Sequence, residues 1–349
     1  MRSSYSEEDV ILLLKDITGL VEPQPTEERE KLIQSGKHYS EMLPIEYVPT
    51  EKYMQVYKDA LIHYARPVAN AIGNLADKVM KHRGKGVVLV SLARAGTPIG
   101  ILLKRYIKKK YAIEVPHYSI SIIRGRGIDD NAMKYLLSHY KPEQLLFVDG
   151  WIGKGAILNE LKKDIAVYAG VSSEIAVAAD PANVTELCGT HEDILIPSSC
   201  LNSTVSGLVS RTFLRNDIIG KDDFHGAVYY GELKSADLSY EFIDTIEREF
   251  RMENTDDAVA LTGKGIDEVR KIGEAFGVED INLIKPGIGE ATRVLLRRVP
   301  WKVLIDVQYK DNPQLEHLVR LAEEKRVPVE YYPLKHYKCC GIIKKIADA

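Results

Sequence analysis

Apolar and polar positions along the chain fall into two stretches of alternating strand and helix signals, separated by a charged segment. In the first stretch, Val87–Val90 and Leu145–Val148 are apolar throughout, and Ile165–Ala178 is strand-rich and ends at Asp180-Pro181. Apolar runs without alternation predict strands buried on both faces of a parallel sheet. Helical spacing predicts a helix over Tyr53–His82, closed by Gly84 and Gly86, and another opening near Pro98. Val115–Ile123 alternates like a strand, with His117, Ser119 and Ser121 on one face and Tyr118, Ile120 and Ile122 on the other. Helices are also expected over Glu7–Asp16, Ala156–Lys163 and Val205–Phe213.

Ser239–Glu253 reads as a charged connecting helix, after which the alternation restarts. The expected order is strand Asp257–Thr262, helix Ile266–Phe276, strand Asp280–Ile284, helix Ile288–Arg298 and strand Lys302–Val307. Helix Pro313–Lys325, strand Val327–Tyr331 and a last helix Tyr337–Ala347 complete it. The expectation is an α/β protein, an open and mostly parallel sheet followed by a smaller α/β/α unit. Residues 1–44 are read as a helical extension, 45–235 as the first domain, 236–255 as the connector and 256–349 as the second domain.

Bulk composition narrows the function classes. The chain has 349 residues, 45% hydrophobic and 28% charged, with a net charge of −3. That length suffices for two cores, and the near-neutral charge excludes a uniformly basic nucleic-acid binder while leaving room for a local patch. Acids near the start interrupt any signal-peptide core, and no apolar run reaches membrane-spanning length. A cytoplasmic protein with no membrane partner is therefore expected. Cys188, Cys200, Cys339 and Cys340 form no C-x-x-C pair, so neither a disulfide framework nor a zinc knuckle is indicated.

Candidate chemistry lies where the apolar runs end. Leu145–Val148 is followed by Asp149, Gly150, Gly153, Lys154, Gly155 and Ala156, and then by helix. Glycines let the backbone approach a ligand, and the N–H groups of a first helical turn point at an anion. The acid before the loop is suited to sugar hydroxyls. Val87–Val90 is followed by Ser91–Thr97, a turn of the same design that carries Arg94. Two such turns at the carboxyl ends of strands in one open sheet face one crevice. Arg124 and Arg126, spaced by glycines, are expected on a mobile loop that brings cations to the anion. Pro197–Ser206 is crowded with small polar groups and suits a substrate lining, a helix cap, or both.

These residues resemble a type I phosphoribosyltransferase over roughly residues 45–230. Asp149 with Gly155 and Ala156 is similar to that family's phosphate and ribose loop. Gly150 stands at its second acid, and Gly153 and Lys154 stand at its threonines. Arg94, Ala95 and Gly96 are similar to its diphosphate turn. The resemblance implies phosphoribosyl diphosphate as substrate, Mg²⁺ carried on the diphosphate, and a nucleobase-like acceptor. Arg124, Arg126 and Asp149 would then be catalytic, and Asp180, Ser198, Ser199, Cys200 and Asn202 would form the hood over the base. Residues 256–349 resemble the pelota-type RNA-binding domain, chiefly through Lys285, Gly287, Gly289, Glu290, Arg293 and Arg297, which implies RNA as a partner. The pairing, with SYSEEDVILLLKDITG and IPSSCLNSTVSG, resembles a bacterial fusion family associated with tellurite-type stress resistance.

Two rivals stand beside the transferase. One is a non-catalytic sugar-phosphate or nucleotide sensor that regulates RNA binding, favoured by the missing second acid. The other is a cysteine-dependent hydrolase using Cys200, with His191 or His225 as the nearest histidines in sequence. Base, product and oligomeric state are not specified by the residues.

Overall fold

A computed structural model describes residues 1–253 and 262–345. Six strands run parallel in the order Ile11–Leu12, His117–Ile123, Val88–Ala93, Leu145–Trp151, Ile175–Ala179 and Cys188–Thr190. Gly127–Ile128 folds back antiparallel onto His117–Ile123. The apolar runs lack alternation because both faces are covered. Leu89, Leu146, Val148, Ala176 and Ala178 join one core beneath helices Glu51–Arg83 and Gly96–Tyr111. Their neighbours Val88, Val90, Phe147 and Val177 join another beneath helices Asp130–His139 and Ala156–Ile165. The expected open, mostly parallel sheet is thus present.

The second sheet has the order Ile284–Pro286, Cys339–Ile343, Pro300–Ile305 and Val329–Tyr331, with Cys339–Ile343 antiparallel to both neighbours. One face packs with Val269 and Ile272 of helix Gly265–Phe276. The other carries helices Ile288–Arg297 and Glu316–Glu324, whose Ile288, Leu295, Leu318 and Leu321 join the same core as the long helix Glu51–Arg83. Tyr64 Oη of that helix donates to Gln314 O at 3.0 Å, and Tyr53 Oη donates to Leu296 O at 2.5 Å. One helix therefore serves both units.

Several expected elements differ. Glu7–Asp16 is not a helix; Ile11–Leu12 pairs with Tyr118 and Ser119, and Lys15–Asp16 pairs with Gly226–Ala227. A free sheet edge supplies ladder hydrogen bonds that local helix preference does not overcome. Val205–Phe213 is irregular because Gly207 (φ +74°) and Leu208 (φ +57°) both take left-handed backbone, which no α-helix accommodates. Tyr337–Ala347 contains the buried central strand Cys339–Ile343, and residues 346–349 lie outside the described residues. The expected strand Asp257–Thr262 also lies outside them, apart from Thr262. Helices Thr26–Gln34 and Asp130–His139 escape the sequence pattern. The latter is opened by Asp129, whose carboxylate accepts from Asn131 N and Ala132 N, both at 3.0 Å.

Candidate functional site

Two polar constellations stand at the carboxyl ends of the parallel strands. One is a cleft of about 330 Å³ between the sheets, lined by Ala95, Arg124, Asp149, Gly153, Lys154, Gly155 and Ala156 from one side and Lys285, Glu290 and Arg293 from the other. The two glycine turns do share a crevice. A Cβ on Gly96 would lie 2.4 Å from Val148 O, so the turns abut backbone to backbone. The cleft is closed from above by the second unit, and several expected anion ligands are already engaged. Lys154 Nζ donates to Ile281 O and Ile284 O, both at 2.8 Å, and burial lowers its pKa to about 8. Arg94 turns away to donate to Val209 O at 3.1 Å, and Arg126 pairs with Glu41 at 2.6 Å.

Asp149 faces this cleft with its pKa pushed up to about 6, mainly by burial and against the Gly150 N–H and the Arg293 charge. A pKa raised in the fold means that the charged form destabilises it above about pH 6 and that the penalty is gone below the ordinary carboxyl range. Asp149→Asn should therefore stabilise the protein by about 1–2 kcal/mol at pH 8 and by nothing measurable at pH 4. Urea unfolding at the two pH values checks this.

The glycine turn expected to meet RNA is packed against the first sheet. Gly287 (φ +87°) rests on Asp193, whose Oδ1 accepts from Ile288 N at 3.0 Å and whose Oδ2 accepts from Lys338 N at 2.9 Å. Gly289 lies against Trp151 and Ser199, and Arg293 stacks over Trp151 at 4.8 Å and donates to Ser199 O at 3.3 Å. Arg297 donates to Cys200 O at 3.4 Å. The expected hood residues Ser198, Ser199 and Cys200 lie beneath this helix, and neither they nor Asn202 line the cleft. Asp180 lies elsewhere, at the second constellation.

That second constellation is built by two neighbouring strands. Asp180 follows Ile175–Ala179, Cys188 opens Cys188–Thr190, and His191 follows it. Asp180 Oδ2 accepts from Val184 N at 2.7 Å and Thr185 N at 2.8 Å, which fixes the carboxylate under the turn. His191 Nδ1 stands 2.9 Å from Asp180 O and 3.8 Å from Asp180 Oδ2. A carbonyl only accepts, so Nδ1 carries the hydrogen and Nε2 presents its lone pair. Cys188 Sγ lies 3.4 Å from Nε2, against 3.8 Å to Nδ1. Burial pushes the Cys188 thiol up to about 12, although Lys78 opposes the shift while donating to Cys188 O at 2.9 Å. The thiol is fully buried, and His191 borders a cleft of about 350 Å³ shared with Asp193, Tyr309, His336 and Lys338.

Among the described residues, Cys188 is the one cysteine with a histidine nitrogen in hydrogen-bond reach. Cys200 is also fully buried, with its thiol pushed up to about 12 by burial and no histidine beside it. His225 is bound elsewhere, its Nδ1 to Ser121 Oγ at 2.9 Å and its N–H to Asp129 Oδ2 at 2.5 Å. The rival reading's Cys200 is therefore a buried thiol paired with neither His191 nor His225 among the described residues, and the contact that does form is Cys188–His191. The sequence signal that marks it is Cys188-Gly189-Thr190-His191, with an acid eight positions before the cysteine.

Residues 3–247 match the family model described as tellurite-like stress resistance cysteine protease StiP. The chain belongs to the StiP family. The cysteine protease StiP of Acinetobacter baylyi is 34% identical to this StiP-family chain, over 98% of the chain and 94% of that protein. Residues 263–345 match the PELOTA RNA binding domain. A hypoxanthine-guanine phosphoribosyltransferase from Bacillus anthracis shares 15% identity over 38% of this chain and 71% of that one, at a TM-score of 0.24, too slight a likeness to bear on fold or function. The stress-resistance fusion family expected from the sequence is thus found, with its PELOTA domain. Phosphoribosyl transfer, and with it the glycosyltransferase class, is corrected by these matches, which name StiP for cysteine proteolysis. Among the described residues, no helix of the StiP-family chain is long and apolar enough to cross a membrane.

Proposed function

We propose that this StiP-family chain is a cysteine-dependent hydrolase of peptide bonds, with Cys188 as nucleophile, His191 as general base and Asp180 as the group that orients the imidazole. The observation that carries this reading is the imidazole of His191 lying against Cys188 Sγ, 3.4 Å from Nε2 and 3.8 Å from Nδ1, so that a turn of the ring brings Nε2 onto the thiol proton. The buried thiol is protonated at neutral pH, so its activation rests on transfer of the proton to His191 as the sulfur attacks. The Sγ–C bond forms at the carbonyl carbon, the C–N bond breaks, and His191 returns the proton to the leaving amine. Water, deprotonated by His191, then cleaves the thioester and restores the thiol. Asp180 O accepts from Nδ1–H and so holds the tautomer in which Nε2 is free to take the proton. The thiol has no exposed surface and does not line the cleft that His191 borders, so cleavage requires the turn at His191 to move and open Cys188 to that cleft.

The reading is tested with iodoacetamide and a fluorogenic peptide library. Slow alkylation mapped to Cys188 by mass spectrometry should abolish cleavage in proportion to labelling. Cleavage that survives complete Cys188 labelling would sink it. RNA is the partner proposed for the C-terminal unit, on its PELOTA likeness and its exposed Arg297 and Arg298.

A further inference from the structure

We infer that Asp180, Cys188 and His191 form a binding site for a borderline-soft divalent cation, zinc above all, and that the bound ion holds the thiol out of catalysis. The second half of this inference rests on the hydrolase reading; the first does not.

The ligating atoms of the three residues all lie within 4.8 Å of one another. Tetrahedral zinc, with bonds of about 2.0–2.3 Å, brings sulfur and nitrogen ligands to about 3.6 Å apart. The Cys188 Sγ to His191 Nε2 separation is 3.4 Å, close to that spacing, and a turn of the imidazole, whose Nδ1 lies 3.8 Å from Sγ, brings the Nε2 lone pair onto an ion beside the sulfur. The surroundings also fit. A metal-bound histidine needs its other nitrogen held by a carbonyl or carboxylate, and His191 Nδ1 has Asp180 O at 2.9 Å. Asp180 is fully buried, and while its Oδ2 takes two backbone N–H groups, its Oδ1 is buried with no hydrogen-bond partner among the described residues. A buried orphan oxygen is destabilising unless something binds it, and a cation does so.

A further unpaired donor stands nearby. His336 is only 7% exposed, neither of its ring nitrogens has a partner among the described residues, and it borders the same cleft as His191. Charge favours the assignment as well. Thiolate and carboxylate together neutralise a divalent ion in a buried place, where a lone charge would be costly. Thiolate with imidazole excludes Mg²⁺ and Ca²⁺, which take oxygen ligands, and selects zinc and its analogues cobalt and cadmium. Ion binding displaces the Cys188 proton, and the sulfur lone pair that would attack a carbonyl is then committed to the metal.

The test uses the full chain, freed of metal by a chelator, and titrates it with Co²⁺. The expected result is a thiolate-to-cobalt charge-transfer band that saturates at one equivalent, is displaced by Zn²⁺, is lost in Cys188→Ser and is kept in Cys200→Ser. No band at one equivalent, or a band that survives Cys188→Ser, overturns the site. If Cys188→Ser does not fold, the wild-type protein decides: Zn²⁺ should slow iodoacetamide labelling of Cys188 at least tenfold, and unchanged labelling overturns the site. Peptide cleavage by the metal-free chain should fall as Zn²⁺ occupancy rises and return with chelator. Cobalt binding without any cleavage by the metal-free chain leaves the metal site standing and removes the hydrolase reading. Cleavage without a cobalt band does the reverse.

Discussion

Cys188→Ala should lower kcat/KM for peptide cleavage by at least about 10³-fold, because no other described thiol has a base to take its proton. Cys200→Ser should leave the rate within about twofold. The contrast matters because both thiols are buried and both are pushed up to about 12, so burial and acidity do not tell them apart. Only the imidazole does. Cys188→Ala removes one sulfur from a site held mainly by backbone hydrogen bonds, so unfolding should shift by about 1–2 kcal/mol. Peptide-cleavage kinetics and thermal unfolding on the same preparations separate lost chemistry from lost fold. Equal loss in both cysteine variants would move the nucleophile away from Cys188.

Gly189→Ala should have the largest effect on the fold, about 3 kcal/mol or more of lost stability, seen as a fall of several degrees in Tm. A Cβ at this position would lie 2.0 Å from Ala71 O and 2.5 Å from Ala71 C, in the middle of the long helix. Neither backbone has a flexible end to give way. The strand Cys188–Thr190 would have to leave the helix, taking with it the bonds from Asn74 Nδ2 to Gly189 O (3.3 Å) and from Lys78 Nζ to Cys188 O (2.9 Å). The sulfur would move with the strand, so activity should fall even in the fraction that stays folded. Gly86→Ala is the control. Its Cβ would meet Gln144 Nε2 at an ordinary 3.6 Å, and the change should stay within about 0.5 kcal/mol.

The large features were legible because their physics is local. Val88–Val90 and Leu145–Val148 are apolar on both sides, and only a strand covered on both faces needs that. The glycine turns after them do meet in one cleft. What escaped was set by distant partners. Cys339–Ile343 reads as part of a last helix from its residues, and its two antiparallel neighbours make it a strand. Lys154 looks like a phosphate ligand until the carbonyls of Ile281 and Ile284, more than a hundred residues on, are seen to occupy it. Cys188 and His191 are three apart, a spacing that is common by chance. Asp180 gains its meaning from a strand pairing, Ala179 with Thr190, that composition does not announce.

The Asp193 clasp on the turn at Gly287 has a cost for any nucleic acid that seeks that turn. The strip is taken while the two halves are shut, so measured affinity falls short of the intrinsic one by the fraction of molecules that stand open. An oligonucleotide that did bind there would act as a wedge, prising the halves apart and widening the entrance beside His191.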